Sequence, residues 1–425
     1  QEGFDMNKGT KSKTAGTSLY TDVRFRYLLA ANIASSIGLG ITMIAIPWLL
    51  ISSPGGNQIF GYLTLGMTIF NFVLTPLIGG LIDRFSRKKL LVVGESVGLV
   101  IMLSFSILGF MNHTYDMWHY IVVYVTGSLY YTIFYPTMFA FSQECFEKQY
   151  YKTLNGAMEV QGQIASMIAG GIASIVMMNV DLQWLLLMNA LTYLIAIVFF
   201  LKVKFIKQIQ TETPAGMVTH QKKTIVGFVY LWKYPIMFFF LLCTTFPFIG
   251  VMITNYLFPV YLQEVLNADA WVYGAENMIY SLGAVCAGLL IPVISQKIGN
   301  EKTMIFGVFC YTIAISLVIF ADIPLFLFLM FFLALGNAGS RVARQTFIME
   351  HIPNMYIGRV DSVIRLIGLF FRILLLTLFT KLVSFQSMII CFILLSGILC
   401  VASFVVYVLW KKGLFLEKGD LRAVQ

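Results

Sequence analysis

The stretch GGLIDRFSRKKLL, residues 79–91, places one acid and four bases within the seven residues from Asp83 to Lys89. Strongly apolar segments flank it on both sides. The whole chain of 425 residues is 59% hydrophobic and only 12% charged, whereas a soluble globular protein has about 25% charged residues. This composition predicts a membrane protein, in which the charged stretch is a short loop between two membrane-spanning helices.

Long apolar runs recur along the whole chain, and a helix needs about 20 mainly apolar residues to cross a bilayer. The runs predict an all-α polytopic membrane protein with twelve transmembrane helices. The predicted spans are 25–51, 59–82, 90–111, 117–141, 153–178, 183–203, 232–260, 271–295, 303–320, 323–345, 359–382 and 386–410.

The basic residues follow the predicted topology. The chain has 29 Lys and Arg residues, and all but Arg365, Arg372 and Lys381 fall in the tails or in every second loop. Cytoplasmic loops are enriched in Lys and Arg, so we expect a multi-pass membrane protein with both termini in the cytoplasm. The net charge of +9 then reflects topology, and no nucleic-acid partner is expected.

The chain also contains an internal repeat. Phe141, Glu144, Tyr150 and Asn155 recur 206 positions later as Phe347, Glu350, Tyr356 and Asp361. This offset predicts two pseudo-symmetric bundles of six helices, a layout typical of transporters. The predicted segments are a cytoplasmic tail at 1–24, the first bundle at 25–203, a cytoplasmic linker at 204–231, the second bundle at 232–410 and a second cytoplasmic tail at 411–425.

Chemical motifs of enzymes and metal sites are missing from the sequence. The six cysteines have no CxxC spacing and the four histidines do not cluster, so no metal site and no cofactor are predicted. No nucleophile–base pair or ATP-binding P-loop is found. We therefore expect that the protein is not an enzyme.

The opening stretch resembles the loop motif G-x-L-x-D-R-x-G-R-[RK] of the major facilitator superfamily, between its second and third helices. Gly79, Leu81, Asp83, Arg84, Arg87 and Lys88 match the motif, and Ser86 replaces its second glycine. The segment YIGRVDSV, residues 356–363, resembles a signature of the bacterial drug:proton antiporters that include macrolide-efflux proteins. The antiporter proline motif of span five is missing from GQIASMIAGGIAS, residues 162–174.

The resemblance implies a secondary active transporter that works by alternating access as a monomer. It would export small amphipathic molecules, such as drugs or endogenous metabolites, across a bacterial plasma membrane in exchange for protons. Two alternatives stay open: export of an anionic carboxylate metabolite such as a siderophore, and lipid flipping. The expected partners are a small-molecule substrate, protons and the lipid bilayer.

Three acids lie within the predicted spans, where a charge costs about 2.5–3.5 kcal/mol on insertion scales. Glu95, Glu159 and Glu276 are therefore candidates for proton coupling. For Glu95 the alternative is a structural ion pair with Arg87, Lys88 or a base of span eleven. For Glu276 the alternative is a solvated helix end.

Glu159 and Arg365 occupy equivalent positions in the two repeats. In the superfamily, span two packs on span eleven and span five on span eight. We therefore expect two inter-bundle latches of opposite polarity, Asp83 with Arg359 or Arg365, and Glu159 with Lys297. The predicted gate residues are Gly79, Asp83, Arg84, Arg87, Lys88, Glu159, Lys297, Arg359 and Arg365.

Arg372 lies about 20 Å along span eleven, too deep to reach the interface. It either pairs with an acid such as Glu276 or lines the cavity and binds an anionic group, because guanidinium matches a carboxylate with two parallel N–H donors. Aromatic and polar residues of the expected pore helices complete the predicted substrate site. Its members are Asn32, Trp48, Tyr124, Tyr131, Asn255, Tyr256, Asn337 and Arg372.

Overall fold

The computed structural model describes residues 19–146, 150–203, 228–352, 354–384 and 388–412. The helices of the first half are α1 (Val23–Ile51), α2 (Gly56–Arg84), α3 (Arg87–Phe110), α4 (Met117–Cys145), α5 (Tyr151–Asn179) and α6 (Leu182–Lys202). Those of the second half are α7a (Pro235–Cys243), α7b (Phe246–Glu264), α8 (Ala270–Ile298), α9 (Asn300–Leu317), α10 (Ile323–His351), α11 (Asn354–Ser384) and α12 (Met388–Lys411). A 3₁₀ turn, Val318–Phe320, extends α9.

The predicted all-α class is confirmed, and α7a and α7b together form the seventh span. Eleven spans of the described residues are long and apolar enough to cross a membrane by composition alone. The fourth, α4, does not meet that criterion and carries five tyrosines. With 29 residues it is about 43 Å long, which exceeds the hydrocarbon thickness of about 30 Å.

Aspartate side chains cap the N-termini of two helices. The Asp22 carboxylate accepts a hydrogen bond from the Arg24 backbone N–H at 2.8 Å and so caps α1. The Arg24 side chain also donates to this carboxylate and lowers the pKa of Asp22. At the start of α10 the Asp322 carboxylate accepts from the Leu325 backbone N–H at 3.0 Å.

The seventh span differs from its prediction, because α7a ends at Cys243 and α7b begins at Phe246. Pro247 lacks an N–H, and its ring would clash with the carbonyl one turn earlier in a continuous helix. The Thr244 and Thr245 hydroxyls both donate to the Leu241 carbonyl at 2.8 Å. Arg344 of α10 donates to the Thr244 carbonyl at 2.7 Å. These bonds satisfy carbonyls that the break exposes.

The helices form the two predicted bundles of six spans. In the first bundle α1 packs on α5 and α6, and α3 packs on α6. In the second, α10 lies between α8 and α9. The bundles meet mainly through α5 with α8 and α2 with α11, which confirms the expected pairing of spans.

The α5–α8 contact is a close approach of two backbones. A Cβ on Gly274 would lie 2.3 Å from the Ser174 backbone nitrogen, and one on Gly170 would lie 2.6 Å from the Met278 nitrogen. The Ser174 hydroxyl donates to the Trp271 carbonyl at 2.9 Å. Small residues allow such contacts between membrane helices. The absence of a side chain at these two glycines therefore lets the backbones of α5 and α8 pack directly against each other.

We call the end of the molecule that carries the α1–α2 and α7b–α8 connections the distal end. There the Gln263 amide donates to the Ser52 hydroxyl at 2.6 Å, and the Asn57 amide donates to the Glu264 carboxylate. Trp48 stacks on Tyr273 with ring centroids 6.0 Å apart. All three contacts join the two bundles, so the distal end is bridged.

Candidate functional site

A polar cavity of about 190 Å³ lies between the bundles. Helices α2 and α4 of the first bundle form one wall, and α11 of the second forms the other. The cavity is lined by Thr64, Met67, Thr68, Asn71, Phe72, Thr75, Tyr124, Ser128, Leu369 and Arg372. We call it the central pocket. Because its walls belong to different bundles, relative movement of the bundles would open or close it.

Hydrogen bonds order the first-bundle wall of the central pocket. The Asn71 amide donates to the Ser128 hydroxyl at 3.2 Å, and the Thr64 and Tyr124 hydroxyls lie 3.4 Å apart. The Thr68 and Thr75 hydroxyls donate to carbonyls of their own helix at 2.7 Å. Their lone pairs stay available, so these two hydroxyls can still accept hydrogen bonds from a ligand.

Arg372 supplies the positive charge of the central pocket. Its Nη1 contacts the Met252 sulfur of α7b at 3.5 Å, and Tyr124 of α4 lines the same pocket. Among the described residues no carboxylate pairs with it, so the alternative of a fixed pair with Glu276 is not formed. A guanidinium has five N–H donors, and a thioether is a weak acceptor for them.

Two polar atoms at the central pocket are buried without a hydrogen-bond partner in the described part of the chain. They are the Arg372 Nε and the Asn71 Oδ1. Buried polar groups are usually paired, because leaving one unpaired costs about 1–3 kcal/mol. One is a donor and the other an acceptor, and they come from different bundles.

The sequence interpretation missed the α2 wall. Thr64, Thr68, Asn71 and Thr75 follow spacings of four, three and four residues, which places them on one helical face. A polar stripe of this kind in an otherwise apolar span is the signal that predicts a cavity-facing surface. The four residues lie immediately before the GGLIDRFSRKKLL stretch on the same helix.

Glu95 of α3 lies in a second polar cluster, inside the first bundle. Its side chain is fully buried. Ser35 of α1 donates to its carboxylate at 2.9 Å, and Tyr130 of α4 donates at 2.6 Å. The Tyr193 ring packs beside Tyr130, with centroids 5.4 Å apart. We call Ser35, Glu95 and Tyr130 the Glu95 cluster.

Among the described residues, Glu95 does not form the ion pair with a base that was one alternative. Arg87 instead pairs with Glu144 at 3.1 Å, and Lys88 donates to the Leu201 and Val203 carbonyls at 3.0 and 2.9 Å. Because α3 begins at Arg87, Glu95 lies about 12 Å along the helix from these bases. Within the described residues only hydroxyl groups face the Glu95 carboxylate.

Glu276 is also buried, at 6% exposure. The Asn277 amide donates to its carboxylate at 2.7 Å. Glu276 therefore does not lie at a solvated helix end, which was one alternative for this residue. No cation pairs with Glu276 in the part of the chain that the structure describes.

Of the predicted substrate residues, only Tyr124 and Arg372 line the central pocket. Phe60 joins Tyr124 to Tyr256 in an aromatic layer on the distal side, with ring centroids 5.6 and 5.7 Å apart. The remaining residues lie elsewhere: Trp48 stacks on Tyr273, Asn32 donates to Gln161, Asn337 donates to Tyr280, Tyr131 stacks on Tyr135, and Asn255 is exposed.

The predicted latches stay predictions. Gly79 lies within α2, and the side chains of Asp83, Glu159 and Arg359 lie outside the described part of the structure. Arg365 forms an ion pair with Asp361 of its own helix at 2.7 Å, so a latch with Asp83 would compete with this pair. Arg84 and Lys297 are exposed at the ends of α2 and α8.

Comparison with known proteins agrees with this architecture. Residues 28–360 match the family model described as Major Facilitator Superfamily, which covers more than half of the chain. The chain belongs to the major facilitator superfamily. Membership of this family makes the chain a transporter and not an enzyme, as the sequence predicted.

Solved structures of similar fold cover nearly the whole chain. The nucleoside transporter NupG is 13% identical, with a TM-score of 0.70, over 92% of this chain and 100% of that one. A bacterial homologue of the iron transporter ferroportin, in an inward-facing state, is 13% identical, with a TM-score of 0.66, over 91% and 98%. A bacterial homologue of the human lysosomal transporter Spinster, inward-facing and unoccupied, is 10% identical, with a TM-score of 0.66, over 92% and 97%.

No curated protein sequence matches the chain. At these identities the structural likeness shows the fold alone. The substrate must therefore be argued from the central pocket and the Glu95 cluster.

Proposed function

We propose that this chain exports a small amphipathic molecule that carries a carboxylate group, by alternating access across a bacterial plasma membrane and in exchange for protons. The observation that carries the proposal is Arg372, a cation without an acidic partner among the described residues, in a polar pocket between the two bundles. A carboxylate can accept two parallel N–H bonds from a guanidinium.

The first-bundle wall supports an amphipathic ligand. The Asn71 and Thr68 side chains offer hydrogen-bonding groups, while Met67 and Phe72 of the same pocket offer apolar surface. Ligand pockets commonly combine an apolar lining with a few polar groups that set orientation. A carboxylate on Arg372 would use the unpaired Nε, and a donor on the same molecule would use the unpaired Asn71 oxygen.

Alternating access is supported by the distal contacts. The Gln263–Ser52 hydrogen bond and the Trp48–Tyr273 stack join the bundles on one side of the pocket. Two of the structural relatives are described as inward-facing, a state in which the opposite side of the pocket is open. By this analogy the present structure corresponds to an inward-facing state.

For proton coupling we propose the Glu95 cluster. A carboxyl group that is surrounded by hydroxyls and shielded from water can exist with or without a proton, and both forms can be hydrogen-bonded, since a hydroxyl both donates and accepts. Glu95 and the Arg372 pocket are linked through α4, which carries both Tyr130 and Tyr124. A rotation of α4 would move both sites.

The test is counterflow in proteoliposomes with matched carboxylate, neutral and cationic amphipathic compounds. The wild-type chain is compared with Arg372→Gln and with Lys381→Gln, a control that removes an exposed cation of the same helix. The proposal expects carboxylate uptake that Arg372→Gln loses and Lys381→Gln keeps. Transport that favours cationic drugs, or flipping of labelled lipids with no solute transport, would contradict it.

A further inference from the structure

A groove runs along the outer surface of the first bundle, between α2, α3 and α4. It has a volume of about 300 Å³ and is separate from the central pocket. Its lining includes Ile82, Leu90, Leu91, Val97, Ile101 and Tyr130. We propose that this groove binds one acyl chain of an anionic phospholipid, whose headgroup lies against Arg84 and Lys89. The inference does not depend on the proposed substrate.

The groove is chemically suited to hydrocarbon. Apart from Tyr130, its polar lining residues are Thr126 and Thr137. The Thr126 hydroxyl donates to the Val122 carbonyl at 2.8 Å, and the Thr137 hydroxyl donates to the Ile133 carbonyl at 2.6 Å. The Tyr130 hydroxyl donates to Glu95. These donors are already used within the protein, so an acyl chain in the groove would leave no hydroxyl donor unpaired.

The dimensions of the groove fit one lipid leaflet. From Leu90 to Ile101 its lining extends over twelve residues of α3, a rise of about 16 Å. One leaflet contributes about half of the hydrocarbon thickness of roughly 30 Å. Gly94 opens the groove further, because a Cβ built there meets no atom within 4 Å.

Charge selects the headgroup. Arg84 is the last residue of α2, and Lys89 lies in the first turn of α3, so both stand at the end of the groove next to Ile82 and Leu90. Both side chains are exposed, and neither forms an ion pair within the described residues. Basic residues at a membrane surface attract anionic headgroups. The groove and the two bases together therefore favour a lipid with an anionic headgroup over one with a zwitterionic headgroup.

The experiment titrates delipidated protein in detergent with phosphatidylglycerol or with phosphatidylcholine of the same acyl chains. Native mass spectrometry measures the fraction of protein that retains one lipid. Gly94→Leu fills the groove, and Gly397→Leu is its control, since Gly397 of α12 has equally open surroundings. We expect Gly94→Leu to weaken phosphatidylglycerol retention at least tenfold and Gly397→Leu to leave it unchanged.

A second variant, Arg84→Gln with Lys89→Gln, leaves the groove intact. Each lost base should weaken phosphatidylglycerol retention about fivefold, with no change for phosphatidylcholine. Equal retention of the two lipids by the wild-type chain would overturn the proposal. So would normal phosphatidylglycerol retention by Gly94→Leu, or a groove-dependent dimer in place of a lipid adduct.

Discussion

Arg372 of α11 and Tyr124 of α4 line the same cavity from opposite bundles. The two residues are 248 positions apart in the chain. Their positions place a cation and a hydrogen-bonding ring on the two walls of the cavity between the bundles. Any solute that touches both residues is held by both bundles.

Replacement of Arg372 by Gln should raise the KM for a carboxylate substrate about 10- to 100-fold, because a hydrogen bond to a charged group contributes about 1.5–3 kcal/mol. Arg372→Lys should recover part of this loss, since it keeps the charge but not the paired donors. Initial rates of counterflow measure the effect. The idea fails if Arg372→Gln and Lys381→Gln transport carboxylates equally well.

Asn71→Ala should weaken binding of the same substrate about three- to tenfold, because it removes a pocket acceptor and the bond to Ser128. The loss should also appear with an uncharged analogue, unlike the loss in Arg372→Gln. Asn179→Ala is the matched control, as Asn179 is exposed and its amide donates to the Ile175 carbonyl of its own helix. Equal KM values for the two alanine variants would show that Asn71 does not contribute to substrate binding.

Glu95→Gln should abolish accumulation driven by a proton gradient while counterflow of substrate continues. The amide keeps the size and hydrogen-bonding capacity of the carboxyl group but cannot bind or release a proton in the working pH range. Counterflow by the variant should also depend less on pH than counterflow by the wild-type chain does. Glu301→Gln, a change in the first turn of α9, should retain full gradient-driven uptake; uptake retained by Glu95→Gln as well would exclude Glu95 from coupling.

Asn57→Ala combined with Gln263→Ala should loosen the distal end, since it removes two hydrogen bonds that join the bundles. Backbone amides of residues 52–56 and 263–269 should exchange with deuterium about five- to tenfold faster, if the two bonds together contribute about 1–1.5 kcal/mol. The control is Asn179→Ala with Gln183→Ala, whose hydrogen bonds stay within the first bundle. Unchanged exchange in the first variant would mean that packing alone closes this end.

Gly274→Ala should destabilise the protein, because its new Cβ would lie 2.3 Å from the Ser174 backbone nitrogen and α8 would have to move away from α5. Overpacking of this kind typically costs about 1–3 kcal/mol. Gly288→Ala on the same helix meets no atom within 4 Å and should leave the melting temperature unchanged. Thermal unfolding in detergent compares the two; identical melting temperatures would show that the α5–α8 contact adapts.

Much of the fold follows from local sequence. Span positions are predictable because lipid offers no partners for backbone polar groups, so each long apolar run must be a helix. The break in span seven was harder to predict. Pro247 marks it, but the hydroxyls of Thr244 and Thr245 and the Arg344 side chain, which comes from another helix, determine how it is stabilised.

The candidate site was predictable only in part. The depth of Arg372 along its helix indicated a cavity-facing cation, and the burial of Glu95 agrees with a special role for an acid within a span. The Thr64–Thr75 stripe could have been detected from its spacing. The hydroxyl partners of Glu95 could not be predicted, because position along the sequence favoured the nearby bases Arg87 and Lys88 equally. In the structure these two bases bond elsewhere.

By itself, the sequence determined that this chain crosses a membrane with two similar halves and that a few charges lie at membrane depth. Hydropathy and helical rise set the position of a residue along its helix, and both are local properties. Only the tertiary structure decided which faces meet: Arg372 with the polar stripe of α2, and Glu95 with hydroxyls instead of bases. The rotation of each helix about its axis depends on packing against neighbours distant in sequence.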